Sequence, residues 1–149
     1  MKRYSIVVLV AILLLTSVLL AGCGKSERDE AVVFYRALNL IYSGIRGNMG
    51  EWNEWSRSAP QPEFDRDVQK RCTKYENAFN DLHDNLISLA PPDRLDNLKA
   101  TLTKATEEAT NTFVMMRRYA DSGDETYFDK ALQSLNKYND VMKTLTSGG

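Results

Sequence analysis

Apolar residues recur at steps of three and four through almost the whole chain after residue 29, and this period constrains the fold more than any other feature. Side chains at that spacing share one face of an α-helix, so each series marks a stripe that must be buried against another element. The first series is Phe34, Leu38, Ile41, Ile45, Trp52 and Trp55, with one turn skipped at Asn48/Met49. It predicts a helix over about 29–58. Gly44, Gly47 and Gly50 each weaken that helix by about 1 kcal/mol relative to alanine, so it is expected to bend there or to admit a close neighbour. Phe64, Val68, Cys72, Tyr75, Phe79, Leu82, Leu86 and Leu89 form a nearly unbroken seam and predict a helix over about 62–89. Leu95, Leu98, Leu102, Ala105, Ala109, Phe113, Met116 and Ala120 predict a third over about 92–121. Phe128, Leu132, Leu135, Tyr138, Met142 and Leu145 predict a fourth over about 124–145, with a frayed tail at 147–149.

The breaks between the series are as clear as the series. Pro60-Gln61-Pro62 and Pro91-Pro92-Asp93 interrupt helix, and proline suits the first turn of the helix that follows. Ser122-Gly123-Asp124 reads as a glycine stop followed by an aspartate cap. No segment alternates apolar and polar residues as a half-buried strand does. Long amphipathic helices with short connections favour antiparallel neighbours. The expected fold is all-α: an up-down-up-down antiparallel four-helix bundle over residues 29–146, roughly 40 Å long at 1.5 Å per residue.

The start of the chain carries a different kind of signal. Lys2 and Arg3 precede an apolar run, Ile6 to Ala21, interrupted only by Thr16 and Ser17. Its 16 residues fall short of the roughly 20 that cross a bilayer, but fit the apolar region of a secretory signal. The run ends in Leu20-Ala21-Gly22-Cys23. This segment resembles the lipobox of prokaryotic lipoproteins, in which an aliphatic residue and two small residues precede a cysteine. The resemblance implies a cleaved signal peptide at 1–22, cut between Gly22 and Cys23, and a diacylglyceryl group on the Cys23 thiol, with palmitate among the acyl chains. It covers residues 1–23 only; the remainder resembles small, uncharacterised helical lipoproteins in pattern alone. The implied location is the extracytoplasmic face of the cell membrane, with a short tether at 23–28 keeping the bundle close to the bilayer. Two acyl chains hold a protein stably where one is marginal.

Composition narrows the function. Residues 23–149 hold 17 basic and 20 acidic residues, a formal charge of −3. Nucleic-acid binding calls for a basic stripe, and adhesion to anionic lipid calls for a polybasic one; neither is present. With Cys23 committed to lipid, Cys72 has no partner for an internal disulfide. Its place in the second seam predicts a small buried thiol, the alternative being a bridge between chains.

The chemistry-bearing residues are sparse. His83 is the sole histidine, and it flanks the seam residue Leu82. Di-iron bundles need Glu-x-x-His motifs and covalent haem needs Cys-x-x-Cys-His; the sequence has neither. Met115 and Met116 are adjacent and point about 100° apart, so they do not chelate copper as a unit. No hydroxyl or thiol is spaced to use His83 as a base. No metal, no cofactor and no catalytic residue is therefore expected, and the chain is read as a non-enzyme.

One asymmetry remains. Antiparallel connectivity gathers Trp52, Trp55, Phe64, Phe113, Met116, Tyr119, Tyr127 and Phe128 at the pole distal from Cys23, while the proximal pole is mostly leucine. Aromatics of this kind either fill a wide core or form a recognition surface. Trp52, Trp55, Tyr119 and Tyr127 are accordingly the candidate patch for a protein partner or a small apolar or aromatic ligand. Tyr35 and Tyr42, seven apart beside the first seam, either cover a bundle edge or touch another chain. The sequence carries no specific signal for an oligomeric state.

Overall fold

The computed structural model describes residues 27–92 and 95–147. Four α-helices follow in order: α1 Glu27–Ser58, α2 Gln61–Ser88, α3 Asp96–Ser122 and α4 Glu125–Ser147. No strand occurs among the described residues. Cross-helix pairs fix the directions. Gly44 lies against Leu82 and Glu51 meets Lys74, so α1 and α2 are antiparallel. Glu76 meets Arg117, Asn80 meets Thr110 and His83 meets Thr106, so α2 and α3 run oppositely too. Glu108 with Lys137, and Tyr119 with Phe128, give the same relation for α3 and α4. The fold is a four-helix bundle of up-down-up-down order.

Local chemistry explains the ends. Proline at the second position of α2 loses no hydrogen bond, because that N–H has no partner inside a helix. The carbonyl of Pro60 accepts from Glu63 and Phe64, both at 2.9 Å, and starts the helix. At the other end of α2 no glycine is available. Lys99 instead reaches back from α3 and donates to the carbonyls of Ile87 at 3.1 Å and Leu89 at 2.6 Å. This satisfies groups left open where the helix stops. Gly123 ends α3 in the left-handed conformation at φ 68°, donating to the Tyr119 carbonyl at 2.8 Å. Asp124 then caps α4, its Oδ1 accepting from the Thr126 N–H at 2.9 Å and from the Thr126 hydroxyl. Those two bonds hold the Asp124 carboxyl below its usual range.

The core is continuous from pole to pole. Phe34, Leu38, Ile41, Ile45, Trp52 and Trp55 are all buried on α1, as their spacing predicts. Met49 is buried as well, so the stripe has no skipped turn; an unbranched thioether fills the gap between isoleucine and indole. Gly44 is a point of close approach, since a Cβ there would meet Leu82 Cδ2 at 3.0 Å, while Gly47 and Gly50 face open space. Cys72 is fully buried, and burial pushes its thiol up to about 12.

Two expectations are corrected. α3 begins at Asp96 rather than near Pro92, because Leu95, at φ −115° and ψ 4°, closes a tight turn onto the Pro92 carbonyl before α-helical geometry starts. α4 is rolled relative to its expected face. Tyr138 is buried and Leu135, Met142 and Leu145 pack on the core as expected, but Ala131 and Val141 are buried as well, whereas Phe128 and Leu132 stand 38% and 42% exposed. The small buried residues Ala105, Ala109 and Thr112 on α3 and Ala131 on α4 explain the roll. Methyl-sized side chains let the α3 and α4 backbones approach closely, and that contact outweighs burial of Phe128. The bulky stripe of α1 does the opposite, and its backbone stands off from α4.

Candidate functional site

Cys23 and Gly22 lie outside the described residues, so the lipidation site has no structural description. The distal pole does. Trp52 and Trp55 are 7% and 8% exposed, and their rings stack into the core instead of forming a surface. Trp52 meets Phe113 edge-on at 5.1 Å and Tyr75 at 6.0 Å between ring centres. Phe113 continues the cluster to Tyr75 at 5.3 Å and Phe79 at 5.7 Å. Trp55 stacks on Phe64 at 5.1 Å, and the guanidinium of Arg71 sits 4.3 Å above its ring. One polar atom is left over: the indole N–H of Trp55 is buried without an acceptor.

The candidate patch therefore divides. Trp52 and Trp55 belong to the core, because Phe64 and Tyr75 of α2 and Phe113 of α3 enclose them at this pole. Tyr119 and Tyr127 remain half-buried at the surface. Tyr119 packs on Phe128 at 5.3 Å, and Tyr127 lies beneath Arg118 and Lys130, with centroid distances of 5.8 and 5.6 Å. Neither of the two clefts described below reaches Trp52 or Trp55.

The larger cleft lies where the periodicity did not point. α1 and α4 are both terminal helices with no loop between them, and their backbones scarcely meet. Between them runs an open groove of about 520 Å³. Tyr42, Met49, Tyr138 and Met142 give it an apolar and aromatic floor, and Arg46 and Lys143 stand at its rim. The Tyr138 phenol is pushed up to about 12, chiefly by burial, with nearby Tyr42 adding to the shift and Arg46 opposing it. Arg46 lies 5.9 Å from the Tyr42 ring and makes no ion pair with a described residue. Tyr42 thus covers a bundle edge, one of the two roles open to it, while Tyr35 is 48% exposed. No spacing along either helix signals this groove, because Tyr42 and Tyr138 lie on helices that share an edge only in the closed bundle.

A second cleft of about 230 Å³ follows the α2/α3 edge, lined by Asn80, His83, Glu107, Thr110 and Asn111. His83 is half-buried, with Nδ1 3.1 Å from the Thr106 hydroxyl, and Thr106 in turn donates to the Thr103 carbonyl at 2.7 Å. Farther along the same edge, Arg117 donates to both Glu76 oxygens, at 3.0 and 3.4 Å. These pairs form a polar zip that sets the register of α2 against α3. Among the described residues, no three His, Cys, Asp or Glu side chains are grouped to hold a metal ion. No described helix is long and apolar enough to cross a membrane. No protein-family profile, no curated protein and no solved structure matches the chain.

Proposed function

We propose that this chain is a lipid-anchored lipoprotein of the extracytoplasmic membrane face, in which the helical bundle acts as a non-catalytic interaction or accessory module. The observation that carries the reading is the ordered series Lys2-Arg3, the apolar run 6–21, and Leu20-Ala21-Gly22-Cys23, with a folded helix starting only four residues later at Glu27. Two further features support it. The bundle closes on a continuous core with Cys72 buried and unpaired, so the fold calls for no disulfide from Cys23. His83 is engaged with Thr106 within the polar zip, a structural use of the sole histidine. Labelling of cells with an alkyne-bearing palmitate tests the reading. The wild-type chain is expected to carry label and remain in the membrane fraction, and Cys23→Ala to carry none. Equal labelling of both, or none in either, rejects lipidation at Cys23.

A second reading, a ligand-binding lipoprotein, has one observation in its favour: the α1/α4 groove. An aromatic and thioether floor with a basic rim suits a small amphipathic carboxylate, its tail on Met49 and Met142 and its head toward Arg46. Calorimetric titration with dodecanoate checks this. Binding that is lost in Arg46→Glu supports it; no heat, or heat that Arg46→Glu leaves unchanged, removes it.

A further inference from the structure

Among the described residues, five of the seven large apolar side chains left exposed lie in the half of the bundle nearest Cys23: Val32, Val33, Tyr35 and Leu40 on α1, and Ile87 at the end of α2. The other two, Phe128 and Leu132, are on α4 in the far half. The crowding is sharpest on the first turns of α1. That segment buries Phe34, Ala37, Leu38 and Ile41 on its inner face, yet it also leaves Val33 at 42% and Leu40 at 57% exposure beside exposed Arg36. Apolar side chains grouped on an exposed flank mark a contact surface.

Val33, Arg36 and Leu40 stand at i, i+3 and i+7, so they form one stripe on the flank of α1 that faces away from the core. Val32 borders it, and Tyr35 lies on the opposite flank. Asp29 and Glu30, both exposed and charged, precede the stripe in the first turn of α1. The apolar surface is therefore lateral and not end-on.

The length of chain between the anchor and the helix says what lies against this flank. Four residue steps separate Cys23 from Glu27, at most about 14 Å even fully extended. Val33 is six residues into α1, about 9 Å along its axis, and Leu40 about 20 Å. Both fall within reach of a bilayer that holds Cys23 when the helix leans over, and Leu40 is lifted clear when the bundle stands upright. Arg36, an apolar stem with a cationic tip between Val33 and Leu40, suits the headgroup layer.

We infer that the N-terminal half of α1 is a bilayer-contacting flank: the Val33, Arg36, Leu40 stripe rests at the headgroup–acyl boundary, and the bundle leans on it. This rests on the lipid-anchor reading and adds an orientation to it. The leaning geometry turns the α4 surface carrying Phe128 and Leu132 away from the membrane edge of the molecule.

The test uses the full chain, purified after expression in bacteria and reconstituted into phosphatidylcholine–phosphatidylglycerol vesicles. Val33→Cys, Leu40→Cys and Leu132→Cys are each labelled with a nitrobenzoxadiazole fluorophore. Cys72 is fully buried and stays unlabelled. Vesicles containing doxyl-labelled lipid are expected to lower emission at Val33 and Leu40 by about twofold and leave Leu132 unchanged, since a contacting helix face sinks about 5–10 Å into the boundary. Equal response at all three sites, or quenching at Val33 without Leu40, overturns the leaning flank. So does a Val33 signal that follows protein density and ignores doxyl lipid, which would put a second copy there. Intact mass separates the two levels: lipid on Cys23 with no quenching overturns the flank alone, and a chain without lipid overturns the anchor with it.

Discussion

Replacing Phe113 with alanine is the most severe test of how this bundle is held together. Its side chain is fully buried and meets three rings on two other helices: Trp52 of α1 at 5.1 Å, and Tyr75 and Phe79 of α2 at 5.3 and 5.7 Å. Truncating a buried phenylalanine costs about 3–5 kcal/mol through lost transfer energy and the cavity left behind. Ring pairs contribute about 0.5–1.5 kcal/mol each beyond area, and three are lost here, so the expected cost is about 5 kcal/mol. A domain of this size has about 5–15 kcal/mol in total, so Phe113→Ala takes a large share of it. Phe113→Leu keeps most of the volume and loses the ring pairs, for about 2 kcal/mol. Phe128→Ala is the contrast, since a partly exposed ring with one aromatic neighbour is worth about 1 kcal/mol or less. Urea unfolding followed by circular dichroism gives all three values. Tryptophan emission should shift in the Phe113 variants, because Trp52 and Trp55 are both in the cluster. Phe113→Ala within about 1 kcal/mol of wild type, or Phe128→Ala costing as much as Phe113→Ala, would refute the aromatic cluster as the centre of stability.

Other expectations follow from single contacts. Gly47→Ala should raise stability by about 1 kcal/mol, since nothing crowds its Cβ, whereas Gly44→Ala should gain little or nothing because Leu82 must give way; thermal melts of the two variants distinguish them. Lys99→Met should cost about 1 kcal/mol by uncapping α2, read as a shift in urea midpoint, and Lys99→Arg should recover part of it. Stability should fall at alkaline pH. The Cys72 thiol is raised from 9.0 to about 12, so its contribution is intact below pH 9 and declines as pH climbs toward 12. Tyr138, raised from 10.0 to about 12, adds a loss of the same sign at the upper end. From Cys72 alone, about 2 kcal/mol should vanish between pH 8 and 10.5, and Cys72→Ala should flatten that part of the profile. An unaltered profile in Cys72→Ala would contradict a buried neutral thiol.

Most of the helical framework was legible because it rests on local rules. The seams of α1 and α2 are long and one-sided, and every seam residue of α1 is buried where its spacing puts it. The Gly123 stop and the Asp124 cap are chemistry of two adjacent residues, and both are realised. What escaped depends on a neighbour. α4 carries two overlapping stripes that share Tyr138, one running through Phe128 and Leu132 and one through Ala131 and Val141. Hydrophobicity favours the first. The structure takes the second, because small residues on α3 reward close approach by Ala131. Met49 completes the α1 stripe only once a neighbouring helix covers it, and the start of α3 at Asp96 depends on the turn that Leu95 closes onto Pro92. The aromatic pole was legible as a concentration of rings but not as a closed one. Enclosure of Trp52 and Trp55 follows from rings on α2 and α3 that close over them, which no spacing along one helix reports. The α1/α4 groove was invisible for the same reason: it joins residues about a hundred positions apart whose only shared property is a common edge in the closed bundle.

The proposal is a helical module beside a membrane, held by one cysteine and leaning on one helix flank. Everything that concerns location depends on Cys23. Intact-protein mass spectrometry of detergent-extracted material measures this directly. The expected result is a chain that begins at Cys23 and carries a diacylglyceryl group on it. A chain that retains residues 1–22, or one with an unmodified thiol at Cys23, would contradict it.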